Sequence, residues 1–141
     1  MPANISPIFS AKGAIQWSPT NVITANTAKD GTGTVSTVFT GNAAGNNAGN
    51  FVQKLIVRSL GTNVATVFRV FVNNGSANST SANNILIGEM TLSATSLSEV
   101  SALPEYVLPL NFALPAGFKI NCTIGTTVAA GFAVSAIGGE Y

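Results

Sequence analysis

Side chains that commonly act as nucleophiles or general bases are scarce in this sequence. The chain contains no His, the commonest general base and a frequent metal ligand. Its only Cys, Cys122, stands in an apolar stretch without an imidazole partner to activate the thiol. Ser and Thr are abundant, but there is no Gly-x-Ser-x-Gly motif and no base to activate a hydroxyl. We therefore expect no Ser- or Cys-based catalysis.

The five Asp and Glu residues give little support for acid–base or metal chemistry. Glycosidic hydrolysis needs two carboxylates facing each other across roughly 5–9.5 Å. Glu99 and Glu105 are close enough in sequence to meet, although a pair of surface acids accounts for them better. Asp30-Gly-Thr-Gly33 resembles a phosphate or Ca²⁺ loop but lacks the Lys of the first and the carboxylates of the second. It is predicted to be a turn, and we expect no catalytic residue, metal or cofactor.

Trp17 is the only tryptophan, within the stretch Ile15-Gln-Trp-Ser-Pro19. A large aromatic side chain of this kind is predicted to anchor either the core or a subunit interface. The alternative is a platform on which a sugar ring stacks, a role for which Tyr106 is a second candidate.

Arg58 and Arg69 both fall in apolar stretches that read as strands. Each is predicted either to lie solvated on an outer face or to pair with Glu89 or Glu105 across a subunit interface.

Low charge is the most informative property of the composition. Charged residues make up 8% of the 141-residue chain, against about 25% in a typical globular protein. Six Lys and Arg against five Asp and Glu give a net charge of +1, and no basic run is present to follow a nucleic-acid backbone. A surface of Asn, Thr, Ser and Gly suits dense packing against copies of the chain or a larger assembly. The alternative is a monomer with a polar, uncharged coat.

The chain length corresponds to one domain, which needs no disulfide, metal or cofactor to hold a core. With a single Cys no internal disulfide is possible, and Cys122 is predicted to be a small buried hydrophobe. No apolar run approaches the ~20 residues of a membrane span, and the first residues lack the features of a signal peptide. We expect folding in a cytoplasm and no contact with a membrane.

Alternating apolar and polar residues predict an all-β protein of eight or nine short strands. Residues 93–101 are either a strand end or one helical turn. Short strands separated by turn signals, without helical crossovers, indicate an antiparallel sandwich or barrel. The predicted strands are residues 14–17, 22–25, 34–40, 51–60, 64–73, 84–92, 106–112, 118–124 and 128–136, the first two being weak.

Turn residues predict how some of these strands are joined. The strands on either side of Gly61-Thr-Asn63 are predicted to pair as an antiparallel hairpin. Pro109 confines its strand to a sheet edge or a bulge. Leu114-Pro-Ala-Gly117 is predicted to be a tight turn with a positive φ at Gly117. Residues 42–50 and 74–83 are predicted to be long exposed loops.

The first ten residues are predicted to form an extended arm, residues 1–10, before a single domain at residues 11–141. Pro2 and Pro7 oppose regular strand pairing in this segment. It is either a frayed terminus or an arm that contacts a neighbouring subunit or a shell. In the second case the contacts are expected from the apolar residues Ile5, Pro7, Ile8 and Phe9.

The late strands resemble those of jelly-roll domains in phage virions. Leu108-Pro-Leu-Asn-Phe-Ala-Leu-Pro-Ala-Gly-Phe-Lys-Ile120, followed by Asn121-Cys-Thr-Ile-Gly125, has an edge strand, an L-P-x-G turn and a strand with a basic residue. The charge-poor texture and Ala65-Thr-Val-Phe-Arg-Val-Phe-Val-Asn-Asn-Gly75 are similar to small decoration, head-fibre and tail-accessory proteins of tailed phages. The resemblance spans about residues 14–141, and L-P-x-G turns also occur in tumour-necrosis-factor-like trimers.

This resemblance implies an antiparallel, jelly-roll-like β-sandwich of about eight strands that acts as a non-enzymatic virion structural protein. Such proteins are commonly homotrimers seated on a capsid or at the end of a fibre. No collagen-like or coiled-coil stalk precedes the domain, which favours a capsid decoration, or cement, protein. It would be assembled in the host cytoplasm and bind the major capsid protein or another virion protein. The alternative is the receptor- or glycan-binding head of a phage fibre or tail.

Overall fold

A computed structural model of the protein describes residues 12–42 and 49–141. These residues form eight strands and one 3₁₀ turn, at Ser81–Asn83. The strands are β1 (Lys12–Trp17), β2 (Ser36–Thr40), β3 (Asn50–Ser59), β4 (Thr66–Asn73), β5 (Asn84–Leu92), β6 (Glu105–Leu114), β7 (Lys119–Ile124) and β8 (Phe132–Glu140).

The strands make two four-stranded antiparallel sheets that pack face to face. One sheet has the order β1-β8-β3-β6 and is called the β1 sheet; the other has the order β2-β7-β4-β5 and is called the β2 sheet. This is the strand order of a jelly roll, in which every connection except that between β4 and β5 passes from one sheet to the other. The expected all-β sandwich of about eight strands is confirmed.

Residues that alternate along each strand supply the core between the sheets. Phe39 and Phe68 of the β2 sheet and Leu55 and Phe132 of the β1 sheet are fully buried in one apolar cluster. Cys122 belongs to the same cluster, as expected from its place in an apolar strand. Each side chain of this size stabilises the fold by about 1.5–3 kcal/mol when removed from water.

The predicted hairpin around Gly61-Thr-Asn63 is wrong. Strand β3 pairs with β6 and β8, whereas β4 pairs with β5 and β7, so the two strands lie in opposite sheets. Both strands have an apolar inner face, and residues 60–65 carry the chain across the core from one sheet to the other. The segment predicted as a strand at residues 22–25 makes only isolated bridges, from Val22 to Phe132 and from Ala25 to Ile124.

The predictions for Pro109 and the L-P-x-G turn are confirmed. Pro109 lies in β6, the edge strand of its sheet. The backbone N–H of Phe118 donates to the carbonyl oxygen of Pro115 at 3.1 Å. Gly117 has a φ of 80°, a left-handed conformation that glycine adopts without a steric penalty.

The outer faces of the two sheets differ. Residues 25–34 cross the outer face of the β2 sheet, from a bridge between Ala25 and Ile124 to a contact between Gly31 and Asn84. Phe71 lies between these points on the outer side of β4 and is fully buried without joining the core cluster. Coverage of β4 on both faces, expected from its apolar residues, is thereby confirmed. No described segment crosses the outer face of the β1 sheet.

The proposed arm contacts Ile5, Pro7, Ile8 and Phe9 lie outside the described residues, as does most of the loop at residues 42–50. No helix long and apolar enough to cross a membrane occurs in residues 12–42 and 49–141.

Candidate interaction surfaces

Four connections converge at one end of the sandwich, which is called the Asn63 end. They are residues 18–24, 60–65, 93–104 and 125–131, and each follows or precedes a strand that ends there. The opposite end carries the Asn-rich residues 74–83, the turn at residues 115–118 and the start of β1 at Lys12.

The side chain of Asn63 joins two of these connections. Its Nδ2 donates to the Oγ of Ser59 at 3.0 Å and to the carbonyl oxygen of Gly131 at 3.0 Å. Its Oδ1 accepts from the backbone N–H of Ala130 at 2.8 Å and of Gly131 at 2.9 Å. The residue is buried, and with four bonds the hydrogen-bonding capacity of its amide is filled.

The backbone of Asn63 fixes the connection at residues 93–104 as well. Asn63 and Thr95 exchange two backbone hydrogen bonds, of 3.1 and 2.9 Å. The Thr95 hydroxyl donates to the carbonyl oxygen of Gly61 at 2.6 Å, and the backbone N–H of Leu97 donates to the Thr62 hydroxyl at 3.0 Å. Buried polar networks that are fully satisfied hold their surroundings in one arrangement. These three connections are therefore fixed relative to one another.

This fixed end presents aliphatic side chains to solvent. Val100 is 98% exposed, and Glu99 is the only charged residue in the four connections. Apolar side chains that stay exposed on connections held in place are suited to a contact surface. The exposed aliphatic residues at this end are Ile23, Leu60, Val64, Leu97 and Val100.

A second exposed apolar surface is the outer face of the β1 sheet. Trp17 and Val107 lie in one row across the four strands, with Ser135 and Ile56 between them. Trp17 is 66% exposed and Val107 is also exposed. In the next row Ile15, Ile137, Lys54 and Pro109 lie side by side, so the only charge in these two rows is that of Lys54.

Trp17 and Tyr106 are not brought together. The exposure of Trp17 shows that it does not anchor the core, which corrects one of its two expected structural roles. Tyr106 lies in β6 on the inner side of the sheet and packs against the core. Its hydroxyl accepts a hydrogen bond from the backbone N–H of Ser93 at 3.0 Å.

The two arginines pair within one chain, not across a subunit interface. Arg58 contacts Glu105 at 2.6 Å, and Arg69 contacts Glu89 at 2.8 Å. The partners were predicted, but each pair joins neighbouring strands of the same sheet. The Glu105 carboxylate is therefore paired with the Arg58 guanidinium group.

The Asp30 segment is a turn, as predicted. The Asp30 carboxylate accepts hydrogen bonds from the hydroxyl of Thr32 at 2.7 Å and from its backbone N–H at 3.1 Å. These bonds hold the pKa of the Asp30 carboxyl below its usual value. No group of three or more His, Cys, Asp or Glu that would hold a metal occurs in the described part of the chain.

Complete burial raises the pKa of the Cys122 thiol, so it stays protonated at neutral pH. A buried neutral thiol is a poor nucleophile.

Two cavities in the described residues are open depressions on the surface. One of 330 Å³ is bordered by Arg69, Val67, Thr66 and Thr91, and one of 180 Å³ by Asn73, Asn78, Asn121 and Lys119. Neither is lined by a carboxylate or by a nucleophile with a base beside it.

Sequence reasoning missed three residues that define these surfaces: Asn63, Val100 and Lys54. The sequence predicts Asn63 only as part of a turn. The side-chain amide of an Asn in a turn beside apolar strands is also suited to bond with distant backbone groups. Nothing in the sequence around Val100 indicates its exposure.

No family model matches this chain, and no curated protein or solved structure is significantly similar to it.

Proposed function

We propose that this protein is a non-enzymatic structural protein of a phage virion, a decoration protein that binds the outside of the capsid shell. The Asn63 end is the proposed attachment surface. The observation that carries the proposal is the group of exposed aliphatic side chains on connections fixed by buried hydrogen bonds. The resemblance of the late strands to phage virion jelly rolls supports the choice of partner.

Such a surface suits binding to a repetitive shell. A preorganised surface loses little conformational entropy on binding, because its loops are ordered beforehand. A contact of modest strength then gains by repetition, since copies that associate bind at several points together. The low charge of this end limits repulsion between closely packed copies.

The attachment surface is tested by placing one charge in it. Val64→Asp introduces a carboxylate at the Asn63 end, and Ile85→Asp is the matched control, since Ile85 is also an exposed aliphatic residue but lies near the opposite end. Occupancy is measured by co-sedimentation with undecorated capsids of the phage that encodes the chain. Val64→Asp is expected to weaken binding at least about tenfold, with Ile85→Asp binding as the wild type. Equal binding of the two variants would overturn this role of the Asn63 end.

The arm at residues 1–10 is a separate candidate contact. Lys12, which follows it closely, lies beside Glu140 at the end opposite Asn63. Deleting residues 1–10 is expected to weaken capsid binding while leaving the thermal unfolding midpoint unchanged. Unchanged occupancy would show that the arm has no part in attachment.

Trp17 favours a second candidate function, the glycan-binding head of a fibre or tail. An exposed indole on the outer face of a sheet is suited to stack against a sugar ring. Binding to a glycan array that is lost in Trp17→Ala, without binding to capsids, would favour this function over decoration.

A further inference from the structure

Among the described residues, Lys54 is the charge on the outer face of the β1 sheet that has no partner, since Arg58 and Glu105 on the same face pair with each other. It lies half-buried on the outer side of β3, and its neighbours in register are Ile137 on β8 and Pro109 on β6. It forms no ion pair with any residue in the described ranges. A cation in this setting is suited to a partner that brings both a carboxylate and apolar side chains.

Glu99 is a single negative charge with the complementary surroundings. It stands between Leu97 and Val100, both exposed, in a loop that projects at the β5–β6 side of the Asn63 end. The backbone of this loop is held by bonds to Thr62 and Ser98. Among the described residues no Lys or Arg pairs with the Glu99 carboxylate.

We propose that copies of this chain bind one another head to tail, with residues 97–100 of one copy on the outer face of the β1 sheet of the next. The Glu99 carboxylate meets the Lys54 ammonium group. Leu97 and Val100 pack beside it against Trp17, Ile56 and Val107 of the next copy. The other exposed aliphatic residues of the Asn63 end, Ile23, Leu60 and Val64, remain for the shell. The occupant of the β1 sheet face is thus a second copy, chosen by complementarity of both charge and apolar surface.

A two-fold contact between two β1 sheet faces is disfavoured. It would place the Lys54 groups of both copies in one apolar interface, where like charges repel and lose their hydration. The proposed contact instead joins two different surfaces of the chain, so repeated copies close into a ring or extend as a filament. A ring of three would account for the homotrimer that the resemblance implies. This inference rests on the proposed function and adds the contact by which copies of the chain associate, but its test requires no shell.

Charge reversal tests the contact directly. Lys54→Glu and Glu99→Lys are each compared with the wild type by light scattering coupled to size exclusion, and Lys29→Glu is the control. Lys29 is exposed and also lacks an ion pair within the described ranges, but it lies in the segment over the β2 sheet. We expect the wild type and the control to be oligomers; three copies of the 14.3-kDa chain give about 43 kDa. Each reversal is expected to weaken association on the order of a hundredfold and to leave a 14.3-kDa monomer.

The double variant Lys54→Glu/Glu99→Lys restores opposite charges and is expected to recover the wild-type mass. Far-UV circular dichroism establishes that each single variant is folded. A monomeric wild type, single variants that keep the wild-type mass, or a double variant that stays monomeric would each overturn the proposal.

Mixing the two single variants distinguishes a three-membered ring from other closures. In a filament or an even-membered ring the two variants can alternate, so that every contact between positions 99 and 54 joins opposite charges. In a ring of three they cannot alternate, and one contact always joins like charges. A trimer is therefore expected to re-form poorly from the mixture, and efficient recovery of a 43-kDa species (three 14.3-kDa chains) would contradict a ring closed by this contact.

Failure of this inference and failure of the proposed function are separable. Wild-type protein that oligomerises as described but never binds capsids would contradict the decoration role and leave the contact between copies supported. Capsids occupied equally well by the wild type and a monomeric Lys54→Glu variant would leave attachment standing without the self-contact.

Discussion

The Asn63 side chain donates from Nδ2 to the carbonyl oxygen of Gly131 at 3.0 Å, linking positions 68 residues apart in sequence. Through this bond the β3–β4 connection is held against the β7–β8 connection. Because each of these connections passes between the two sheets, the bond also fixes one end of the sandwich. The exposed aliphatic residues of the Asn63 end stand on this framework.

Asn63→Ala is expected to lower the free energy of unfolding by about 2–4 kcal/mol, because it leaves several buried backbone and hydroxyl groups without partners. Urea unfolding followed by far-UV circular dichroism measures the change. Asn74→Ala is the control: that side chain bonds Asn83 and the backbone N–H of Ser76 at the exposed opposite end, and its loss is expected to cost less than about 0.5 kcal/mol. Similar costs for the two variants would show that the Asn63 bonds add no special stability.

Gly31→Ala is expected to destabilise the segment over the β2 sheet. Gly31 has a φ of 76°, and a Cβ there would lie 2.6 Å from the Cβ of Asn84. The left-handed backbone alone costs a non-glycine residue about 1–2 kcal/mol, and the clash adds to it. Gly13→Ala is the matched control, since its Cβ would meet no atom within 4 Å. Equal melting temperatures of the two variants would contradict the close approach of residues 25–34 to β5.

Strand positions were largely predictable, because alternation of apolar and polar residues reports directly which residues face a core. Strand β5 begins and ends at the predicted residues. The last strand is predicted at residues 128–136, about four residues before the observed β8, which includes Gly138 and Gly139. In the fold Gly138 is required within the strand, because a Cβ at that position would collide with the carbonyl oxygen of Phe51.

Strand partners and surfaces were not predictable in the same way. Alternation gives the buried face of a strand but not the neighbour it pairs with, so β3 and β4 were wrongly joined in a hairpin. The bonds that hold residues 60–65 between the sheets come from residues 95, 130 and 131, far away in sequence. The exposure of Trp17 and Val100 depends on this topology, and no local pattern reports it.

The Asp30 carboxyl is expected to titrate below its ordinary pKa of 3.8, because the Thr32 hydroxyl and backbone N–H bond its ionised form. The folded-state pKa is lowered, so the stabilisation is present above the unfolded value and is lost as pH falls through the folded value. An NMR titration of the Asp30 carboxyl carbon measures the shift. Thr32→Ala is expected to raise this pKa, while Thr32→Ser keeps it low. A pKa that is the same in both variants would rule out the hydroxyl as the cause.

The Cys122 thiol is expected to resist thiol reagents in the native state, because it is fully buried and its pKa is raised by that burial. The reaction with a disulfide reagent at pH 8 is followed by absorbance, in buffer and in unfolding concentrations of urea. Modification is expected only in urea. Ser101→Cys, which adds a thiol at an exposed position, is expected to react at once at that second site. Rapid modification of native wild type would contradict the burial of Cys122.

Glu89→Gln is expected to destabilise the protein more than Glu105→Gln, because the arginines that they pair with differ in burial. The Arg69 side chain is only 11% exposed, whereas that of Arg58 is 53% exposed. The Nη1 of Arg69 is buried without a hydrogen-bond partner in the described residues, so its charge depends heavily on the Glu89 carboxylate. Loss of that carboxylate is expected to cost about 1–3 kcal/mol, below the value for fully buried pairs because Glu89 is itself partly exposed. Loss of the Glu105 carboxylate is expected to cost less than about 1 kcal/mol, and less still at high salt. The free energy of unfolding of each variant is measured by urea unfolding at low and high ionic strength. A larger loss of stability in Glu105→Gln than in Glu89→Gln would show that burial of the arginine does not determine the strength of these pairs.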